Sequence, residues 1–389
     1  MDPDFDPLDA GLADLGVDSY LIDDGSEFAN QRYLSGFGAE RFVTLYTPEQ
    51  TALLVPGLEF ARARSESRAD IVRRFSDYDY SELRESEGRE AARQEVLRAF
   101  VAEFGVEGIA VPGDLPLRTG DALREAGYEI VVDTDDLVGE LRATKAAEEV
   151  DNVRAAQAAN EAAMARAEEL LDAATVEDGQ LIHDGEPLTS ERVRQEIEVT
   201  LIRHGCSLDE TIVACGADGA EPHNRGSGPL VPGEPIVIDI FPQDKSTKYH
   251  ADMTRTFVVG EPTEAAQAFH EHTMAAMEAA FEALEPGTTG EAVHEAVCDV
   301  YEAAGYPTLR SDEGTETGFI HSTGHGVGLD VHEQPSLGDG GDTLEPGHVV
   351  TIEPGLYDPE VGGVRVEDLV LVTEDGYENL TDYHYEFAL

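Results

Sequence analysis

PIVIDIFPQDKSTKYHADMTRTFVVG, residues 235–260, carries a run of branched apolar residues into Asp239, passes through a polar turn and begins a second strand near Asp252. It reads as a β-hairpin with a carboxylate on each arm. The same device returns in HVVTIEPGLYDPEVGGVRVEDLVLV, residues 348–372. There Glu353 closes one apolar run, Glu367 interrupts another, and Gly362 and Gly363 mark the expected turn. A carboxylate buried among Val and Ile without a partner costs roughly several kcal/mol and ordinarily takes up a proton instead. One acid alone in so acidic a chain reads as a solvated charge. Four, each in an apolar strand and each matched across a turn, need a cation.

Histidine narrows the choice of cation. HSTGHGVGLDVHE, residues 321–333, holds His321, His325 and His332 in a glycine-punctuated loop that runs into a short apolar strand. A lone histidine is more often a core or surface residue than a ligand. Three so close together, beside glycines that permit close backbone approach, read as one ligand with neighbours facing a substrate. All-oxygen cages suit calcium or magnesium, whereas imidazole with carboxylates suits manganese, iron, cobalt or zinc.

These segments resemble the "pita-bread" metallopeptidases, the family of methionine aminopeptidase, aminopeptidase P and prolidase, and most of all its Xaa-Pro-cleaving branch. The resemblance rests on Asp239 followed by HADMTRTF from His250, HSTGHGVGLDVHE from His321, TIEPGLY from Thr351 and GVRVED from Gly363, in the family's order. It implies two divalent ions, manganese first with cobalt, iron or zinc as alternatives, held by Asp239, Asp252, His325, Glu353 and Glu367. Asp252 and Glu367 would bridge the ions, Asp239 would complete one, and His325 with Glu353 the other. His332, and His223 in CGADGAEPHNRGSG (residues 215–228), resemble the family's substrate-facing histidines. His321 and Arg365 resemble substrate-site residues of the Xaa-Pro branch.

Two departures stand out. The Asp239 to Asp252 turn is two residues longer than the family's usual spacing, and Phe241 stands where the family normally has glycine. A longer turn across 242–248 absorbs both, because a two-residue insertion in a hairpin preserves the inward alternation of each arm.

The chemistry expected of such a site is peptide hydrolysis. Two divalent ions turn a shared water into hydroxide near neutral pH and polarise the scissile carbonyl. His332 and His223 would hydrogen-bond the substrate as charge develops, and Glu353 would carry the proton from water to the leaving nitrogen. Cys206, Cys215 and Cys298 lack metal-ligand spacing and read as small buried hydrophobes.

Residues 17–140 alternate strand patterns (VDSYLI, RFVTLY, TALLVP, GIAVPG, YEIVVD) with helical ones (REAARQEVLRAFVAEFG, LRTGDALREAG), the mark of an α/β domain. FANQRYLSGFGA from Phe28 resembles the opening domain of prolidases and aminopeptidase P, which in that family builds a dimer and limits substrate length. The expected fold is therefore α/β (α+β), with an N-terminal domain at 1–143 and a pita-bread catalytic domain at 144–389. An alanine-rich helix in LRATKAAEEVDNVRAAQAANEAAMARAEELLDAA, residues 141–174, should open the second domain. Further helices are expected near 189–204, 262–284 and 289–304, outside a curved sheet built from the hairpins.

The formal charge is −55, from 81 acids against 26 bases spread along all 389 residues. Lys145, Lys245 and Lys248 are the only lysines. Dispersed acid of this kind reads as the surface of a protein adapted to molar salt, where self-repulsion is screened. It argues against nucleic acid or anionic membrane as a partner. The acidic start MDPDFDP is not a secretion signal, no apolar span reaches eighteen residues, and an odd cysteine count fits a reducing cytoplasm.

Three functions follow from the residues and their resemblance. The first is an Xaa-Pro peptidase acting on short proline-containing peptides as a homodimer, with prolidase (dipeptidase) preferred to aminopeptidase P. The second is a metal-free relative such as creatinase, and the third a non-catalytic binding protein on the same scaffold. Both of the latter generally lack the ligand set that stands here.

Overall fold

The computed structural model describes residues 3–208 and 210–389. The chain folds as two units, Met1–Arg142 and Ala143–Leu389. The first holds a six-stranded mixed sheet in the order Ile71–Arg74, Gln50–Val55, Phe42–Thr47, Ser19–Asp24, Gly108–Pro112, Glu129–Asp133. Strand alternation splits its side chains between two cores. Ala52 and Leu54 join Leu21, Val43, Leu45 and Ile109 beneath Val96 and Phe100 of the helix Arg89–Ala102, while Leu53 and Val55 turn to Phe37 and Phe42. The five strands expected from the sequence are present. The edge strand Ile71–Arg74 and the helix Asp6–Leu15 are additions.

The second unit repeats one scheme twice. Helices Ala147–Asp172 and Ser190–Arg203 pack Met164, Leu171 and Ile197 against a three-stranded antiparallel sheet whose centre is Ile236–Ile240. Helices Glu264–Ala283 and Gly290–Ala303 pack Met277, Val297 and Tyr301 against a five-stranded sheet containing Val349–Ile352 and Asp368–Thr373. Thr189, Thr263 and Thr289 cap three of these helices, each hydroxyl accepting from a backbone N–H three residues on. No helix among the described residues is long and apolar enough to cross a membrane.

The strand Ile236–Ile240 lies between Thr211–Cys215 and Met253–Phe257, so Asp239 faces Ile212 on one side and Thr254 on the other. Residues 241–252 stay outside this ladder. They form their own turn, in which Gln243 bridges His250 and the Asp244 carboxylate accepts from the backbone N–H groups of Ser246 (2.9 Å) and Thr247 (2.7 Å).

The second carboxylate segment differs from its expected form. Val349–Ile352 pairs with Asp368–Thr373, so Glu353 and Glu367 are the first residues past the same end of one ladder. Between them stands a separate hairpin, Gly355–Asp358 with Gly362–Arg365, whose turn is 359–361. Gly362 and Gly363 are therefore strand residues rather than the turn. Close approach explains them: a Cβ on Gly363 would stand 1.8 Å from the carbonyl oxygen of Gly219.

Candidate metal centre

All nine residues singled out in the sequence line one cavity of about 630 Å³: His223, Asp239, Asp252, His321, His325, His332, Glu353, Arg365 and Glu367. They arrive from both halves of the second unit. Asp239 comes from the first sheet, Asp252 from the residue just before its strand Met253–Phe257, His325 from the short strand Gly324–Gly326, and Glu353 and Glu367 from the end of the central ladder of the second.

Hydroxyls on the flanking strands aim these groups. Thr254, opposite Asp239, donates to Glu367 Oε2 at 2.7 Å, and the Glu367 N–H donates to the Thr254 carbonyl at 3.0 Å. Thr351 donates to Glu353 Oε1 at 3.2 Å and accepts from the His325 N–H at 3.1 Å. His325 Nδ1 lies 3.1 Å from the Gly326 carbonyl, a contact that turns Nε2 toward the carboxylates. That Nε2 stands 3.3 Å from Glu353 Oε1 and 3.8 Å from Asp252 Oδ2. Ligand atoms of Asp252, His325 and Glu367 all lie within 4.8 Å of one another.

The electrostatics of this cluster are those of a site built around positive charge. Burial pushes Asp252 well above the carboxylate range, and the neighbouring Glu367, Asp239 and Glu353 push it further. Glu367 is raised by burial and by Glu353 and Asp239. Asp239 is raised by burial, against the pull of Arg365. For Glu353 burial acts upward as well, but the adjacent His325 outweighs it and holds the carboxyl down at about 2. Asp239 Oδ1 and Asp252 Oδ1 are buried and have no hydrogen-bond partner. Orphaned carboxylate oxygens lining one cavity with an imidazole suit divalent cations of the nitrogen- and oxygen-binding class.

A proton-ordered chain lines the wall beside them. Arg365 donates to Asp239 Oδ2 at 2.5 Å and to the Tyr357 hydroxyl at 2.9 Å. Tyr357 lies 2.8 Å from His321 Nε2, and His321 Nδ1 lies 2.7 Å from the Ser322 carbonyl. With its ring held by the tyrosine and the carbonyl, His321 is pushed by burial down to about 4 and is neutral at physiological pH. His332 packs its ring 4.2 Å from that of His325 and reaches solvent, as does His223. Tyr357, Thr254 and Thr351 were missed in the sequence, although each lies in or beside a motif that carries a ligand candidate. Phe241 lines the cavity too, as do Ile212, Glu210 and Arg225.

Comparison with known proteins agrees with this geometry. Residues 151–374 match the model of metallopeptidase family M24, and residues 6–144 match the creatinase/prolidase N-terminal domain. An Xaa-Pro dipeptidase of Pyrococcus furiosus is 31% identical over 338 residues, covering 86% of this chain and 85% of that protein. The structure of an Xaa-Pro dipeptidase from Bacillus anthracis superposes with a TM-score of 0.82 at 25% identity, over 99% of both chains. That of an X-Pro aminopeptidase from Thermotoga maritima gives 0.76 at 25% identity, over 96% of this chain and 98% of the other. By its matched length and its relatives, the chain belongs to metallopeptidase family M24.

Proposed function

We propose that the protein is an Xaa-Pro dipeptidase in which Asp239, Asp252, His325, Glu353 and Glu367 hold two divalent metal ions, manganese foremost. The observation that carries this reading is the convergence of those five side chains on one cavity, with orphaned oxygens on two of the buried carboxylates. The ions would supply Lewis acidity and a nucleophilic hydroxide at neutral pH.

The chain's own groups do the rest. Glu353, ionised at neutral pH, takes the proton released by the attacking water and hands it to the prolyl nitrogen as the C–N bond breaks. His332 and His223, both at the cavity lining, donate hydrogen bonds to the carbonyl oxygen as it gains charge. Arg365 holds Asp239 in place, and through Tyr357 it also holds His321 against the substrate. The N-terminal unit, matching the creatinase/prolidase domain, serves to form a homodimer and to limit peptide length. A setting in the cytoplasm of a halophile accounts for the dispersed acid surface and for three free cysteines.

The test is hydrolysis in molar potassium chloride with manganese, offering an Xaa-Pro dipeptide and an Xaa-Pro-Xaa tripeptide. Cleavage of the dipeptide alone supports the dipeptidase. Cleavage of the tripeptide makes the protein an aminopeptidase P, the activity named for the Thermotoga neighbour. If neither peptide is cut and Glu353→Ala changes nothing, the peptidase reading fails.

A further inference from the structure

The histidines of the cavity are held in different ways. His321 is fixed at both ring nitrogens, by Tyr357 and by the Ser322 carbonyl, and His325 is held at Nδ1 by the Gly326 carbonyl. Among the described residues no hydrogen bond reaches the ring of His332, which only packs edge-on against His325. Its aim is set by its backbone.

That backbone ends the loop of a hairpin whose arms are Gly324–Gly326, which carries His325, and Glu333–Leu337. Glu333 pairs with Gly326 across the arms, just past a register shift at His325, and its carboxylate closes the loop from inside. One oxygen accepts from the Asp330 N–H at 3.4 Å, and the other lies 2.6 Å from Lys145 Nζ. Gly328 makes room for it, since a Cβ there would stand 2.3 Å from Glu333 Oε1. The Gly328 carbonyl accepts from the His250 N–H at 2.7 Å, and its own N–H donates to the Asp330 carbonyl at 3.0 Å. Lys145 is anchored in turn, its N–H donating to the Gly347 carbonyl at 2.9 Å and its ammonium to that of Ala143 at 3.1 Å. The loop is thus tied to a fixed point 188 residues earlier in the chain.

Stability alone does not call for charge here. Two ions taken out of water are costly to bring together, and a packed apolar pair of the same volume is often as stable or more so. What an apolar pair lacks is direction. An ammonium and a carboxylate, each with a further hydrogen bond, define one position for the backbone between them, and His332 directly precedes Glu333. A group that must meet a substrate carbonyl needs such a bearing, because a displacement of about 1 Å can cost about a hundredfold in rate.

We propose that Lys145 and Glu333 are positioning residues for His332, their buried ion pair aiming its imidazole at the substrate carbonyl. This rests on the Xaa-Pro reading above and extends it to two side chains outside the cavity lining.

The experiment follows hydrolysis of Ala-Pro, or of Ala-Pro-Ala if only that is cut, by the full-length manganese-loaded protein in molar potassium chloride. Glu333→Gln and the double variant Lys145→Met, Glu333→Met should each lower kcat about ten- to a hundredfold, with KM within about twofold of wild type. The double variant strands no charge and keeps the fold where a single change fails. Glu333→Asp, charged but one methylene shorter, should lose less kcat than Glu333→Gln. Manganese affinity, read by titration calorimetry, should stay within about threefold, rather than fall the ten- to hundredfold expected if the pair served the ligand candidate His325. In a His332→Ala background the double variant should cost no more than about twofold further, because the group it aims is gone. A merely structural pair would lower kcat equally in both backgrounds. Wild-type kcat in the double variant, a loss carried by KM, a collapse of manganese affinity or an additive loss with His332→Ala would each overturn the assignment while sparing the Xaa-Pro reading. A metal-loaded wild type that cuts neither peptide sinks both.

Discussion

Lys145 Nζ lies 2.6 Å from Glu333 Oε1, and the two side chains are 1% and 5% exposed. One of only three lysines in the chain is thus spent on a buried ion pair. The ammonium also donates to the Ala143 carbonyl at 3.1 Å, and Glu333 directly follows His332. Removing Lys145 takes the cation from a buried carboxylate, so Lys145→Met should lower stability by about 3–5 kcal/mol. The double variant Lys145→Met, Glu333→Met should recover most of that, since a packed apolar pair of similar volume is often neutral. Denaturant titration in molar salt measures both. A double variant as unstable as the single would show that the pair does more than neutralise itself.

Asp252 and Glu367 crowd one another without a cation between them. Asp252→Asn removes one like charge and should stabilise the metal-free protein by about 1–2 kcal/mol, read as a rise of a few degrees in Tm. The same variant should forfeit the rise in Tm that manganese gives wild type by binding the folded state. Thermal scans with chelator and with manganese separate the two effects. A chelated variant less stable than chelated wild type would contradict the repulsion.

His348 is buried, and its Nδ1 accepts from the Glu345 N–H at 3.1 Å. Burial, followed by the nearby Lys145, pushes the imidazole from 6.5 down to about 4. Because the unfolded chain binds this proton first, the contribution is whole above pH 6.5 and is lost as pH falls from 6.5 to about 4. The loss should amount to about 2–3 kcal/mol. His348→Asn keeps a hydrogen-bond acceptor but cannot titrate. Its stability should therefore fall less than that of wild type across this window, as followed by urea unfolding at several pH values. Parallel curves would remove His348 from the account.

With 81 acids against 26 bases, the folded state carries self-repulsion that only screening relieves. The screening length is about 3 Å at molar salt and about 30 Å at 0.01 M. Dialysis against dilute buffer should therefore unfold or inactivate the protein, as circular dichroism and the peptidase assay would record. Full activity at low salt would count against adaptation to molar salt.

Local patterns carried much of this architecture. The unbroken apolar runs ending in Asp239 and Glu353 are visible because their strands are buried along their whole length, and the four helices of the second unit show because their buried residues recur at helical spacing. What escaped was either weakly patterned or non-local. The strand Ile71–Arg74 is only half-buried and ends in two arginines, so no apolar alternation marks it. Arg365 and Asp239 are 126 residues apart, and nothing near either one reveals their bond. Arg255 in MTRTF looks like a surface residue. In fact it is fully buried, 2.8 Å from Asp368 and 2.7 Å from the Glu367 carbonyl. Gly362 and Gly363 were misread because a glycine pair signals a turn as readily as a close backbone approach.

The meeting of Gly363 with Gly219 has a further bearing on the site. The 3-10 helix Gly216–Ala220 leads into the segment of His223 and Arg225, and the strand Gly362–Arg365 leads to Glu367. Because main chain rests on main chain there, the spacing between these two walls is set by atomic radii rather than by the size of any side chain. It acts as a gauge block: repacking elsewhere in the core can leave the width of the cavity untouched, whereas a single methyl at position 363 would reset it.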